Sequence, residues 1–169
     1  LQQRGYVDYG FLGGAQVDKY GNLNSSFIGD WDRPSVRLPG TGGGNDIASL
    51  SKVIVAMHHE KRRLVEKVDF ITSPGYLTGK NSRKESGLIS GGALKVVTHL
   101  AILGFDEERG EMCLEGLQPG ATVEEVKANT GFELMVREKL YQASPPTEEE
   151  LMTLRALDPE QRYTSPRGD

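Results

Sequence analysis

Gly40-Thr41-Gly42-Gly43-Gly44-Asn45-Asp46 places three adjacent glycines directly before an apolar, helix-like run, a pattern that lets backbone alone do chemistry. Glycine adopts dihedrals closed to other residues and lets the chain approach a ligand closely. If Asp46-Ile47-Ala48-Ser49-Leu50-Ser51 opens a helix, its unpaired N–H groups and positive dipole end face whatever rests on the turn. Such a turn can hold a phosphate, a carboxylate or the oxyanion of an acyl-transfer intermediate, or it can be a plain connector. Counting removes two familiar phosphate loops. A Walker loop needs Lys-Ser or Lys-Thr after its last glycine, where this chain has Asn45-Asp46. A dinucleotide fingerprint starting at Gly40 or Gly42 needs a further glycine at Asn45 or Ile47, and neither is one.

Gln16, Asn22 and Asn24 border an earlier glycine pair, Gly13-Gly14, and carry amides that could bond a substrate carboxylate or a polar chain. Asn22 and Asn24 have a competing role, closing turns through side-chain bonds to backbone, whereas Gln16 has fewer local partners and is the better binding candidate. His58, His59 and His99 could ligate a metal, but strand neighbours such as His58 and His59 point to opposite faces, so no metal site is expected. Glu60-Lys61-Arg62-Arg63 reads as surface ion pairing, with a partner interface or the phosphates of a ligand as alternatives. Cys113 stands alone and is expected to pack as a small apolar residue.

These residues need a frame, and the chain of 169 residues suits one domain with a real core. A formal net charge of −4 argues against general nucleic-acid binding. No apolar run approaches the roughly 18 residues of a membrane span and no signal-peptide pattern opens the chain, so a cytoplasmic protein without membrane association is expected. The opening Leu1-Gln2-Gln3-Arg4-Gly5 lacks Met and reads like a helix end, so the chain looks cut from something longer.

Val53-Ile54-Val55-Ala56-Met57 is short, unbroken and rich in β-branched residues, the signature of a parallel strand buried on both faces. Phe11–Val17, Leu23–Ile28 and the alternating Val68–Thr72 read as further strands, and Asp30–Pro39 as irregular. Tyr76–Gly92 reads as a surface loop, and Val96–Leu103 with Met112–Leu117 as an antiparallel hairpin. Thr122-Val123-Glu124-Glu125 and Thr147-Glu148-Glu149-Glu150 are capping boxes, with Gly131 as the stop for the first helix. The second runs to about Ala156, and its acidic triplet suits the positive helix end. Residues 159–169 form a polar tail.

Three segments together resemble class I coenzyme A transferases: Phe11-Leu12-Gly13-Gly14-Ala15-Gln16-Val17-Asp18-Lys19-Tyr20-Gly21-Asn22-Leu23-Asn24-Ser25; Arg37–Asp46; and His59–Arg63 with Asp69–Gly75 and Thr130-Gly131-Phe132-Glu133-Leu134. The last group is most similar to the β subunit of glutaconate CoA-transferase. The resemblance covers about Gly5 to Asp158, nearly the whole chain. It implies an α/β fold with an open, mostly parallel sheet flanked by helices, an architecture shared with sugar-phosphate isomerases. Residues 1–158 would be the C-terminal two-thirds of a β-subunit domain paired with a homologous α subunit.

The implied reaction moves CoA between small carboxylic or dicarboxylic acids through a glutamyl-CoA intermediate, with acyl-CoA and acid as substrates and no metal or organic cofactor. A carboxylate nucleophile splits one hard exchange into easier steps. Gly42, Gly43 and Gly44, with Asn45 and Gln16, are the residues expected at the oxyanion and substrate. The family's nucleophilic glutamate lies well before the Gly-Gly-Ala-Gln segment, and no Glu precedes Glu60 here, so the chain alone is expected to be inactive. Two alternatives stay open. One is the β-like subunit of a CoA-transferase-like ring-opening hydrolase of steroid breakdown, whose tail resembles Pro146–Asp158 but which departs from the Gly-Gly-Gly-Asn-Asp run. The other is a non-catalytic anion-binding module.

Overall fold

The apolar runs become strands whose pairing partners lie far apart in sequence. In a computed structural model describing residues 1–88 and 90–163, the main sheet contains β1 (Tyr9–Leu12), β6 (Lys52–Ala56), β8 (Gly92–Val97), β9 (Ala101–Phe105), β10 (Met112–Leu117) and β11 (Met135–Gln142), in that spatial order. Pairings β1–β6, β6–β8 and β10–β11 are parallel, and only β8–β9 and β9–β10 are antiparallel. The sheet is therefore open and mostly parallel. A three-stranded sheet, β2 (Gln16–Asp18) between β3 (Leu23–Asn24) and β7 (Leu64–Val65), sits beside it. The hairpin β4 (Phe27–Gly29) with β5 (Pro34–Arg37) leads to the glycine turn.

The core takes Val17 and Leu23 from the small sheet and Val53, Val55, Val96, Leu103, Met112 and Leu114 from the large one. Helices α1 (Gly44–Leu50) and α3 (Val123–Ala128) pack on it through Ala48 and Val126, both buried. The single turn α2 (Ser82–Glu85) and helix α4 (Glu148–Leu157) complete the elements.

Several expectations change at this level. Phe11–Val17 divides between two sheets, because β1 ends at Leu12 and β2 starts at Gln16. Leu23–Ile28 likewise divides between β3 and β4, while Asp30–Pro39 contains β5. Val68–Thr72 is not a strand; that position is taken by Leu64–Val65, which pairs with Val17 and Asp18. In β6, Val53 and Val55 are buried but Ala56 is exposed, so only one face is fully covered among the described residues. The hairpin forms as β9–β10, with Val96–Leu103 spanning the turn between β8 and β9. Tyr76–Gly92 contains α2, and Arg83 on it is buried.

Both helix starts carry a hydroxyl cap, but the expected box is reciprocal only at Thr147 and Glu150. At Thr122 only the hydroxyl bond from the Glu125 N–H forms. Gly131 is not the stop of α3, which ends against Asn129. A side chain at Gly131 would stand 2.4 Å from the Leu64 carbonyl, so glycine is required there by close approach. Of the polar tail, residues 164–169 lie outside the described residues.

Candidate functional site

The Gly40–Asn45 turn rests on a buried polar network assembled from three distant segments. The Gln16 side chain donates to Asp69 Oδ2 (3.1 Å), and its Oε1 accepts from Asn24 Nδ2 (2.8 Å) and the Asp69 N–H (3.1 Å). Asn24 also donates to the Phe27 carbonyl (2.6 Å) and accepts from the Ser26 N–H (3.0 Å). The Thr72 hydroxyl accepts from the Ser25 N–H (3.0 Å) and bonds the Ser26 hydroxyl (2.8 Å). From Ser25 the network reaches the turn: its hydroxyl donates to the Gly40 carbonyl (3.0 Å), and the Gly40 N–H donates to its carbonyl (2.9 Å). On the far side, Asn45 Nδ2 donates to the Thr72 carbonyl (3.3 Å). Each buried polar group here has a partner, which keeps such a network rigid.

Gly40 and Gly42 stand in the left-handed region, at φ +89° and +50°. The Gly44 N–H donates to the Thr41 carbonyl (2.8 Å) and the Asn45 N–H to the Thr41 hydroxyl (2.7 Å). Of the three adjacent glycines, Gly44 is therefore engaged within the turn, and it is buried 3.2 Å (as a would-be Cβ) from the Ser73 hydroxyl. The Gly42 and Gly43 N–H groups have no partner among the described residues and both glycines are exposed, with open space where side chains would be. Adjacent N–H groups in a turn form a concavity for negative charge.

Asn22 and Asn24 close turns, one of the two roles open to them. Asn22 binds Asp18 Oδ2 (3.0 Å) and the Leu77 carbonyl (2.7 Å), and accepts from the Gly75 (2.9 Å) and Leu77 (3.1 Å) N–H groups. Asp18 beneath it is buried, and that burial raises its carboxyl pKa despite the Asn22 bonds. Gln16 is no free amide either: it is 6% exposed, and both its Nε2 and its Oε1 are bonded.

Beside the turn, Phe27, Trp31 and Phe70 pack with ring centroids 5.3–5.8 Å apart, and the Arg37 guanidinium lies 5.7 Å from the Phe27 and Trp31 rings. Trp31 is 60% exposed. Reading 30–39 as irregular missed this cluster, although its aromatic and cationic residue types were the available signal. Asp69 and Thr72 were also missed as individual residues, since their partners are about 50 residues away.

The remaining candidates lie elsewhere. His59 is buried, with its ring nitrogens near the Thr98 (3.0 Å) and Thr130 (3.0 Å) hydroxyls and the Val126 carbonyl (3.2 Å). Burial lowers its pKa to about 4. His58 instead faces the His99 ring at 5.5 Å. Glu60 pairs with Arg62 (2.5 Å) and Arg63 (3.3 Å) near the surface, and the Arg62 bond lowers its pKa. Cys113 is buried, which raises its thiol pKa.

A family model described as Coenzyme A transferase matches residues 1–129. The chain is 42% identical over 157 residues to the β subunit of the 3-oxoadipate CoA-transferase of Pseudomonas knackmussii, covering 92% of this chain and 60% of that protein. The β subunit of the glutaconate CoA-transferase of Acidaminococcus fermentans is 42% identical over 154 residues, 90% of this chain and 58% of that one. The crystal structure of that organism's glutaconate CoA-transferase superposes with a TM-score of 0.88 at 40% identity, covering 94% of this chain and 61% of the other. The cholesterol ring-cleaving hydrolase IpdB subunit of Mycobacterium tuberculosis is more distant, 33% identical over 151 residues, 88% of this chain and 59% of that one. The chain thus spans about three fifths of the length of these curated relatives. In sequence and in fold alike, this chain belongs to the coenzyme A transferase family.

Proposed function

We propose that the chain is the β-subunit-type part of an enzyme moving CoA between small carboxylic or dicarboxylic acids. In this reading it acts with a homologous α subunit in the cytoplasm, binds neither nucleic acid nor membrane, and uses CoA as substrate with no metal or organic cofactor. Residues 1–158 form the C-terminal two-thirds of the subunit's domain. The observation that carries the reading is the pair of exposed N–H groups on Gly42 and Gly43, without a partner among the described residues and held by a satisfied network.

A glutamate carboxylate oxygen attacks the acyl-CoA carbonyl, whose oxygen becomes negative as the tetrahedral intermediate forms. Gly42 and Gly43 donate to that oxygen, while Gly44 and Asn45 hold the turn. Gln16 acts through the frame, fixing Asn24 and Asp69. Collapse expels CoA thiolate and leaves an acyl–glutamyl anhydride. The thiolate then attacks the glutamyl carbonyl, releasing the first acid and forming a glutamyl-CoA thioester, and an acceptor carboxylate reverses both steps. Donors set in advance at such an oxygen contribute about 3–4 kcal/mol each. In this reading the nucleophilic glutamate belongs to the whole protein and not to this chain, and the chain alone should not exchange CoA.

The test is borohydride reduction of the full-length complex given acyl-CoA. The expected result is inactivation, with the glutamyl-CoA adduct reduced to an alcohol and CoA thiol released, the altered glutamate lying on the same polypeptide N-terminal to Leu1. The second reading, a ring-opening hydrolase, is supported by the 33% identical IpdB subunit. Complete turnover of acyl-CoA without an acceptor acid, and no adduct on this polypeptide, would replace the transferase reading with it.

A further inference from the structure

Arg83 sits on the single turn α2 in a run, Ser82-Arg83-Lys84-Glu85, that reads as solvated surface, yet it is only 6% exposed. It forms no ion pair among the described residues, and its guanidinium is held by backbone carbonyls. Nη1 donates to Pro74 (3.1 Å) and Gly75 (2.8 Å). Nη2 donates to Ala48 (2.8 Å), Ser49 (3.4 Å) and Ser90. Nε has no partner among the described residues. A buried charge is tolerated only where dipoles replace its water, and here the last carbonyls of α1 do so at the helix's negative end. Two left-handed glycines make the room: a Cβ at Gly92 would stand 3.2 Å from Nε, and one at Gly91 3.0 Å from Nη2.

Four of the five carbonyls that Arg83 joins belong to the two walls of the glycine turn; the fifth, Ser90, precedes β8. Ala48 and Ser49 lie in the last turn of the helix that Gly44 begins. Pro74 and Gly75 follow Thr72 and Ser73, which touch Asn45 and crowd Gly44. We propose that Arg83 is a positioning residue for the Gly42–Gly43 donors, clamping α1 to the 72–75 segment from behind the turn. Its part in turnover rests on the oxyanion reading given above; its hold on the turn does not. Lysine, with one compact ammonium group, cannot span both walls as a planar fork does.

Hydrogen exchange of the full-length complex, followed by mass spectrometry, tests the clamp without reference to activity. In Arg83→Lys and Arg83→Met, peptides covering residues 40–50 should exchange about tenfold faster or more, while those covering β9 and β10 keep their wild-type rates. Should Arg83→Met fail to fold, Arg83→Lys carries the test. Unchanged exchange at 40–50, or a uniform rise along the whole chain, overturns the proposal. In the same variants kcat for CoA transfer should fall about tenfold or more with KM nearly unchanged, the mark of an interaction made in the transition state. Faster exchange at 40–50 with undiminished kcat would uphold the clamp and sink the oxyanion reading of the turn instead.

Discussion

At Gln16, Asn24 and Thr72 one buried polar network holds the glycine turn, and at His59, Thr98 and Thr130 a second ties the ends of β6 and β8 to α3. Both use buried amide, hydroxyl or imidazole groups with bonds near 3 Å. They differ in where they end. The His59 network closes on the Val126 carbonyl inside the core. The Gln16 network runs outward to Gly40 and Asn45 and stops beside two exposed N–H groups with no partner among the described residues. A network that closes on itself stabilises the fold, whereas the one that leaves donors open to solvent supplies what the proposed oxyanion site needs.

The largest effect should come from obstructing those donors. Gly43→Val adds a branched side chain in open space, so the fold should survive while turnover of the full-length complex falls about two to three orders of magnitude. Circular dichroism and steady-state kinetics on one preparation check both halves, and wild-type turnover in the folded variant would reduce the turn to a connector.

The closed network should answer to acid. His59 titrates near 4 in the folded chain and near its ordinary 6.5 when unfolded. Its neutral state supports the fold fully above about pH 6.5. As pH falls from there to about 4, the unfolded chain takes up a proton that the folded chain refuses. Stability should drop by up to about 3 kcal/mol over that window, at about 1.4 kcal/mol per pH unit. Urea melts at pH 7, 5.5 and 4.5 measure it, and His59→Gln should flatten the dependence relative to wild type. An equally steep slope in the variant would assign the acid sensitivity to another group.

The smallest effect belongs to a pair outside both networks. Glu60 meets Arg62 at 2.5 Å with the Arg62 side chain largely exposed, and surface pairs of this kind contribute little. Glu60→Gln should leave the melting temperature and its salt dependence unchanged within error. A clear loss would give this cluster a structural role that its geometry does not suggest.

The parts legible in the sequence were those with a local cause. The β-branched run became β6, Thr147-Glu148-Glu149-Glu150 became a reciprocal capping box, and the turn 106–111 joined an antiparallel hairpin. Each depends on residues within a few positions: a β-branched apolar run, a hydroxyl three residues before an N–H, a glycine in a turn. The Gly40–Asn45 turn stood out for the same reason, because backbone freedom belongs to the residue itself.

Tertiary structure decided which side chains complete the site. Gln16 meets Asp69 across 53 residues, and Arg83 meets Ala48 across 35. Gly44 and Asn45 engage their N–H groups within the turn and leave the open donors to Gly42 and Gly43. Neither residue type nor spacing carries this information. Whether an amide is free or an arginine buried depends on which carbonyls and carboxylates packing brings within about 3 Å, where hydrogen bonds form. The sequence by itself determined a coenzyme A transferase scaffold with a glycine turn. Long-range packing determined which side chains hold that turn in place, because only the assembled chain brings Gln16, Asp69, Thr72 and Arg83 within reach of it and of one another.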